Sequence, residues 1–466
     1  MRVRVLGHYM NRPFMLLAVG EAALCWACTY VAALIRVDVD LGQTRQMLGP
    51  YGVRALVVAP LVLAALTSTG LYSVRQRANM TGIAQRIVLG VIAALAGLPI
   101  LFYFLPSLLI PPAVSGLTAV ILIPALILVR AAFYRLADTS VLKPRVLVLG
   151  TGRHALSILQ LRRRADQRGF HIVGFAATDE SRSLVPPDRI VELSGSLLDY
   201  ARANDVGEIV VCIDDRRRAF PIPDLLACRL AGIDVTDALH FFEREAGKIR
   251  LSILNPSWII FGEGFSREPV GELTARIFDV LVSVGLLVVV WPLMLLAVLA
   301  IKVEDGLRAS VIYRQQRVGL NGSLFDVFKF RSMRTDAETN GAARWAVRGD
   351  PRVTRVGRLI RATRIDELPQ LLNVLMGQMR FVGPRPERPE FVRELSDKIP
   401  YYAERHCVKP GITGWAQLCY PYGASEADAF EKLEYDLYYI KHRSLAFDMT
   451  ILLQTVEVIL WRKGAR

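Results

Sequence analysis

The sequence is short of the residues that build disulfide frameworks and zinc sites. Six cysteines and six histidines are scattered over 466 residues. Cys25 and Cys28 form a CxxC inside an apolar run, without partner ligands, and read as packing residues. Cys212, Cys228, Cys407 and Cys419 show no paired framework, which fits a reducing compartment. The dispersed histidines offer no zinc-ligand spacing. Acids are outnumbered, 43 Asp and Glu against 57 Lys and Arg, for a net charge of +14.

Apolar residues are plentiful. They make up 53% of the chain, and the mean hydropathy is +0.34. Apolar and basic together point to a membrane protein whose cytoplasmic face is positive. A nucleic-acid binder would account for the charge but not for the hydrophobicity. The first apolar run is followed by further runs rather than by a small-residue cleavage site, so no cleavable signal is expected.

Four apolar stretches fill the first 140 residues, at about 14–35, 53–72, 87–105 and 113–129. Each approaches the ~20 residues needed to cross a bilayer as a helix. Arg2, Arg4 and Arg12 precede the first, and Arg75, Arg77 and Arg86 lie in the second connection. Arg130, Arg135, Lys143 and Arg145 follow the fourth. The first connection is mixed (Asp38, Asp40, Arg45) and the third, around 106–112, is uncharged. Both ends of a four-helix transmembrane bundle over 1–140 then face the cytoplasm.

A strand, a tight glycine turn and a helix start follow at 144–155, with G-x-G-x-x-A at Gly150, Gly152 and Ala155. Strand-like runs at 171–176 and 208–213 complete a βαβ pattern, so a Rossmann-like domain (of the CoA-binding kind) is expected over 141–265. As a dinucleotide fingerprint it is incomplete. The acids after the second strand, Asp179 and Glu180, lie further on than the usual ~20 residues.

A fifth apolar run, 277–301, contains Pro292 and has basic flanks on both sides: Arg267 and Arg276 before it, Lys302 and Arg308 after it. A full crossing would carry everything after it away from the cytoplasm. A re-entrant membrane helix, broken at Pro292 and returning to the same leaflet, satisfies both flanks. The apolar segment 447–461 is too short and interrupted to span, and suits an interface or a core.

The chemistry gathers after residue 302. From 302 to 364 there are 14 Lys and Arg against 6 Asp and Glu. Residues 313–319 read as a strand, with a turn at Asn321-Gly322. Residues 325–331 alternate as a half-buried strand, which would put Lys329 and Arg331 on one face to hold a pyrophosphate. Arg352, Arg355, Arg358, Arg361 and Arg364 recur every third residue and lead into Asp366-Glu367, with Pro369 opening a helix to about 376. Negative charge is favoured at a helix start, and an ionised Asp there can act as a nucleophile. Arg385 sits between two prolines on a rigid turn, suited to clamping phosphate. Residues 409–417 form a glycine turn flanked by Lys409 and Gln417, able to bring backbone close to a ligand.

Together these motifs resemble the bacterial sugar transferase family of monotopic phosphoglycosyl transferases. The resemblance rests on Arg276-Ile-Phe-Asp279, Lys329-Phe-Arg-Ser-Met333, Arg364-Ile-Asp-Glu-Leu-Pro-Gln-Leu371, Val382-Gly-Pro-Arg-Pro-Glu387 and Lys409-Pro-Gly-Ile-Thr-Gly-Trp-Ala-Gln417. It implies an α/β catalytic domain over 270–466 with a re-entrant helix at 277–301, and a bundle and Rossmann-like domain like those of larger members. It implies transfer of a sugar-1-phosphate from a UDP-sugar to undecaprenyl phosphate, releasing UMP, as the first step of exopolysaccharide, O-antigen or capsule assembly. Asp366 would be the nucleophile carrying a phosphosugar, and Glu367 would help hold Mg2+. Lys329, Arg331, Arg361 and Arg385 would contact phosphate, with the pyrimidine near Lys409 and Gln417. The family's Ser-Pro at the membrane break is Trp291-Pro292 here. The implied setting is the bacterial inner membrane with the catalytic domain in the cytoplasm. Its partners are membrane lipids, further polysaccharide-assembly proteins and a second copy of the chain.

Two other readings fit parts of the sequence. A membrane-anchored nucleotide-sugar dehydratase or epimerase would want a Tyr-x-x-x-Lys pair, and none occurs. A non-catalytic scaffold of an export complex would leave the dyad structural, and UMP release separates it from an enzyme.

Overall fold

The computed structural model describes residues 2–5, 8–37, 44–69, 71–72, 80–137, 144–161, 170–178, 183–193, 195–214, 220–262, 264–265, 269–334, 352–420, 423 and 425–460. Asp38, Asp40, Arg75, Arg77, Lys143, Asp179, Glu180, Arg267 and Trp461 lie outside the described residues. The chain divides into two compact units, Met1–Gly247 and Lys248–Arg466.

The first unit opens with an antiparallel hairpin, β1 (Arg2–Val5) and β2 (His8–Asn11). Four long helices follow: α1 (Arg12–Val37), α2 (Thr44–Ser68), α3 (Met80–Phe104) and α4 (Pro112–Ala137). Helix α1 packs on α2 and α4, and α3 closes the bundle against α2 and α4. Ala32, Val62, Leu66, Ile87 and Leu126 form its interior. Leu16, Leu56, Ile92, Val120 and Leu128 point outward and stay exposed. Helices apolar on every face need a surrounding as apolar as their core, which a bilayer provides. Helices α1, α3 and α4 are long and apolar enough to cross a membrane. The apolar part of α2, Gly52–Thr67, is shorter than the expected span.

One flanking charge is not a flank. Arg130 is fully buried inside the bundle and pairs with the equally buried Glu21, 2.6 Å from Nε to Oε1 and 2.8 Å from Nη2 to Oε2. It also donates to the Leu71 carbonyl at 2.8 Å, and the Tyr72 hydroxyl donates to Glu21. A charge at this depth persists only when paired. Arg86 is buried as well. The basic flank after α4 is therefore weaker than the residue count implied.

The remainder of the unit is a parallel sheet with crossover helices. In chain order it runs β3 (Arg145–Leu149), α5 (Arg153–Leu159), β4 (His171–Ala176), β5 (Ile190–Val191), α6 (Leu197–Ala203), β6 (Glu208–Val211), α7 (Ile222–Leu230), β7 (Asp234–Asp237) and α8 (Ala238–Ala246). The strand order is β5-β4-β3-β6-β7, and every pairing is parallel. The glycine turn falls between β3 and α5, as its pattern demanded. Gly150 has φ of 121°, and a Cβ there would lie 2.5 Å from the Cys212 carbonyl oxygen. The first amides of α5 are already taken: Asp214 accepts from Arg153 N at 2.8 Å and from His154 N at 3.0 Å.

The second unit begins before the expected boundary, since Lys248 pairs with Glu431 and Glu434 and Ile249 N donates to the Glu434 carbonyl. After α9 (Pro256–Phe261) comes α10 (Pro269–Asp305), a single helix of 37 residues that is also long and apolar enough to cross a membrane. Helical backbone runs through Pro292, so the expected break is not an interruption of the helix. The missing N–H leaves only the Val288 carbonyl without its helical donor, a loss that apolar helices tolerate. Then come β8 (Ile312–Val318), β9 (Leu324–Phe330), α11 (Arg355–Ala362), α12 (Gln370–Leu375), β10 (Arg380–Val382), α13 (Pro389–Lys398), β11 (Gly411–Thr413), α14 (Trp415–Cys419), α15 (Glu426–His442) and α16 (Leu445–Leu460). Strands β8 and β9 pair antiparallel, and β10 and β11 pair parallel.

Both ends of α10 dock onto this unit while its middle stays bare. Near the start, Arg276 donates to the carbonyls of Val374 (2.5 Å) and Leu375 (2.6 Å), capping the last turn of α12. Asp279 is buried and accepts from Arg380 Nε at 3.1 Å. Arg380 also reaches Asp448 on α16 at 2.9 Å, and the Tyr439 hydroxyl closes the network on Asp448 at 2.8 Å. Near the end, Ala297 and Ile301 form a small core with Phe330 and Ile360. Glu304 accepts from the first amides of α11, Arg355 N at 2.8 Å and Val356 N at 2.9 Å. Between these anchors Val288, Val289, Trp291 and Leu296 are each more than half exposed.

Candidate active site

The acidic dyad lies on a single 3-10 turn, Ile365–Glu367, between α11 and α12. Helix α11 starts at Thr354, whose hydroxyl accepts from Gly357 N at 2.9 Å, and its N-terminal amides are completed by Glu304. It stops at Thr363. Arg364 then adopts the left-handed conformation, with φ of 60°, and this swings the chain into the dyad turn. A non-glycine residue there costs energy and persists only where the surroundings hold it. Asp366 is 8% exposed.

Lys329 comes from β9 and Arg385 from the turn after β10, and both meet Glu367. Its Oε1 is 3.2 Å from Lys329 Nζ and 3.3 Å from Arg385 Nη2. Burial alone would raise the Glu367 carboxyl, but Lys329, Arg385 and Arg364 outweigh it and hold it well below the usual carboxylate range. Asp366 is treated differently. Burial and the Glu367 charge push its carboxyl up to about 6, against the pull of Lys329, Arg361 and Arg364. One carboxylate is thus neutralised by its cations. The other stays buried beside it with its carboxyl raised.

The dyad turn is tied to β9 by a residue the sequence reading passed over. Asn373, fully buried on α12, accepts from Phe328 N at 3.0 Å and donates to the Asp326 carbonyl at 2.7 Å. Its amide satisfies the free edge of β9 as another strand would, and so fixes Lys329 relative to Glu367. The only sequence signal is an amide in the apolar run Leu371–Leu375.

The turn bearing Arg385 is held from both sides. Arg317 Nη1 donates to the Pro386 carbonyl and Arg405 Nη2 to the Arg385 carbonyl, each at 3.0 Å. Arg405 is buried and pairs with buried Asp436 at 2.8 Å. The glycines of the 409–417 motif serve the same turn. A Cβ at Gly411 would lie 2.1 Å from Gly383 N, and one at Gly414 2.2 Å from the Gly383 carbonyl oxygen. They let two protein backbones touch, rather than admitting a ligand as expected.

Three expected site residues fall outside this cluster. Arg331 follows the last residue of β9, its N–H still bonded to the Val311 carbonyl at 2.8 Å, and it pairs with neither Asp366 nor Glu367. Lys409 Nζ lies 3.7 Å from where a Cβ on Gly377 would stand, beyond the far end of α12 from the dyad. Gln417 is on α14, its Nε2 buried without a hydrogen-bond partner among the described residues. Arg361, on the last turn of α11, does act on Asp366.

Comparison with known proteins gives the family. The model of the family described as bacterial sugar transferase matches residues 270–462. The UDP-N-acetylgalactosamine-undecaprenyl-phosphate N-acetylgalactosaminephosphotransferase of Aeromonas hydrophila is 40% identical over 242 residues, 52% of this chain and 56% of its own length. The undecaprenyl-phosphate glucose phosphotransferase of Komagataeibacter xylinus is 35% identical over 339 residues, 69% of this chain and 60% of its own. The first two relatives are thus matched over less than two thirds of their length. The UDP-glucose:undecaprenyl-phosphate glucose-1-phosphate transferase of Xanthomonas campestris pv. campestris is 30% identical over 380 residues, covering 76% of this chain and 73% of the relative. The matched segment contains the dyad turn, the cations that meet it and the membrane helix docked beneath it, so the chain belongs to the bacterial sugar transferase family.

Proposed function

We propose that the protein transfers a sugar-1-phosphate from a UDP-sugar to undecaprenyl phosphate, releasing UMP and starting the assembly of an extracellular polysaccharide. The observation that carries this is the split dyad: Glu367 spent on two cations, Asp366 buried beside it and held basic. The relatives' names give substrates of this kind, with glucose in two of them and N-acetylgalactosamine in the third. The sugar is therefore left to experiment.

In the first step an Asp366 carboxylate oxygen attacks the β-phosphorus of the UDP-sugar. The bond from that phosphorus to the oxygen bridging the α-phosphate breaks, and UMP leaves with that oxygen. In the second step a phosphate oxygen of undecaprenyl phosphate attacks the same phosphorus and displaces the Asp366 carboxylate. Lys329 and Arg385, rigidly held through Glu367 and the Arg317 and Arg405 contacts, supply positive charge where phosphate oxygens gather. Positioning and charge neutralisation are most of what phosphoryl transfer asks of a protein.

No group of three or more His, Cys, Asp or Glu side chains gathers among the described residues. A carboxylate pair fits Mg2+, which keeps its waters and takes further ligands from substrate phosphates. Asp366 and Glu367 would hold it, and it would neutralise phosphate charge.

The anchoring of α10 at both ends supports a re-entrant reading. A straight helix of this length would be about 55 Å long. Contacts near Asp279 and near Glu304 to one small domain, with a bare apolar middle around Pro292, suit a helix that dips into one leaflet. A greasy acceptor and a water-soluble donor would then meet at the cytoplasmic membrane surface. The sheet order and glycine turn of the first unit suit a Rossmann-like domain whose turn is closed by Asp214.

The test is UMP release by full-length protein in detergent, with undecaprenyl phosphate and a panel of UDP-glucose, UDP-galactose and UDP-N-acetylgalactosamine. One sugar should support turnover, and Asp366→Asn should abolish it with the thermal melt unchanged. Normal turnover by Asp366→Asn would sink the nucleophile assignment.

A further inference from the structure

The β8–β9 hairpin turns a polar face toward the dyad. In its antiparallel register Tyr313 pairs with Lys329, Gln315 with Val327 and Arg317 with Phe325. Cross-strand partners share a face, so Tyr313, Gln315 and Arg317 stand on the same side as Lys329. That side carries the Lys329 ammonium to Glu367. Phe330, one residue on, packs from the other side onto Ala297 and Ile301 of α10. The segment Tyr313-Arg-Gln-Gln-Arg317 is polar throughout, so its pattern does not say which residues turn inward. The structure does: Arg314 and Gln316 are exposed, whereas Tyr313, Gln315 and Arg317 are half-buried. The inward face of an antiparallel pair is ordinarily apolar, so this one is suited to a polar ligand.

The three inward side chains form a row. Arg317 Nη2 donates to Gln315 Oε1 at 2.5 Å, and Gln315 Nε2 donates to the Tyr313 hydroxyl at 3.1 Å. A guanidinium can only donate, so the amide atom beside it is the oxygen and the NH2 group lies toward Tyr313. Arg317 also donates to the Pro386 carbonyl, in the turn that bears Arg385. The row is about 13 Å long at ~3.3 Å per residue, and runs from beside Lys329 to the Arg385 turn. Those ends carry the two cations that meet Glu367.

We propose that Gln315 is a specificity-determining residue, which with Tyr313 hydrogen-bonds the hydroxyl groups of the donor hexose. This rests on the reading of the chain as a phosphosugar transferase. Chemistry divides the site. Lys329 and Arg385 are charged and suit phosphate oxygens. Tyr313 and Gln315 are neutral and can both donate and accept, as a sugar hydroxyl does. The hexose is bonded through one oxygen to the β-phosphorus that Asp366 attacks, whereas the uridine lies one phosphate further away. Of the donor's neutral parts the hexose is therefore the nearest to the dyad. Tyr313, directly opposite Lys329, is the nearest neutral side chain of the row, and Gln315 follows two residues along. After Tyr313 takes one amide hydrogen of Gln315, the second is left to donate. Arg317 holds the amide in that orientation, so an incoming hydroxyl meets an N–H of fixed direction. A hydroxyl of the wrong configuration would leave that donor unmatched, which is how a polar site discriminates between sugars.

The experiment uses full-length protein in detergent. Gln315→Met keeps the length of the side chain and removes its hydrogen-bonding atoms. Tyr313→Phe keeps the ring and removes only the hydroxyl. UMP release gives kcat and KM for the active UDP-sugar, and free UDP, which lacks the hexose, is titrated as a competing inhibitor. The expected result in each variant is a donor KM raised about tenfold, the scale of one hydrogen bond, with Ki for UDP within twofold of the parent. Inhibition by UDP weakened in step with the donor KM would move the row to the diphosphate or the uridine and overturn the assignment. A fall in kcat with donor KM and UDP Ki both unchanged would make the row a support of the Arg385 turn only, and unchanged kinetics would also overturn it. Should Gln315→Met lower the thermal melt, Tyr313→Phe decides by the same measurements. If the parent protein itself gives no UMP with any donor of the panel, the underlying functional reading fails instead, and that outcome is distinct.

Discussion

Arg405 offers the sharpest test of how the site is held. Its guanidinium is buried, sits 2.8 Å from the buried Asp436 carboxylate, and donates to the Tyr402 hydroxyl at 2.7 Å and the Arg385 carbonyl at 3.0 Å. Arg405→Met leaves Asp436 without its cation in a low-dielectric site. Breaking such a pair from one side costs about 3–5 kcal/mol. For a domain of this size that lowers the melting temperature by roughly 10 °C. Adding Asp436→Leu removes the stranded charge, so the double variant should recover most of the loss. Activity should not recover with it, because the Arg385 carbonyl still lacks its donor and the clamp turn is free to drift. Displacements near 1 Å at such a site cost on the order of a hundredfold in rate. The assay is thermal unfolding of the four members of the cycle in detergent, with UMP release on each. A double variant as unstable as Arg405→Met would refute the charge argument. A double variant with full activity would refute the positioning role.

Two further outcomes are expected. Asn373→Leu leaves Phe328 N–H and the Asp326 carbonyl without partners at the edge of β9, a cost of about 1–3 kcal/mol. Thermal unfolding should show it, together with a lower rate of UMP release, and an unchanged rate would mean Asn373 does not set the Lys329 position. The Asp366 carboxyl lies at about 6, raised from its ordinary value. Only its ionised form attacks phosphorus, so kcat/KM for the UDP-sugar should rise with pH through about 6 and level off above it. A flat profile from pH 5 to 7 would contradict that assignment.

What the sequence by itself determined is local and periodic. The apolar runs marked α1, α3, α4 and α10 because length and hydropathy alone decide whether a helix can cross a bilayer. The β3–Gly150–α5 turn was legible because only glycine accepts its backbone, and the dyad was legible because an acidic pair before Pro369 sits against a dense arginine run. The tertiary structure decided which charges meet. Arg130 counted as a flank until the bundle placed it on Glu21, 109 residues away. Lys329 and Arg385 reach Glu367 across 38 and 18 residues, and Asn373 finds β9 across 45. Arg331 and Lys409 looked equally suitable and went elsewhere, because strand ends and turn packing are set by contacts distant in sequence. Residue type and spacing announce that phosphate chemistry is possible. Which cations are spent on Glu367 depends on how β9, α10, α11 and the Arg385 turn close around Asp366.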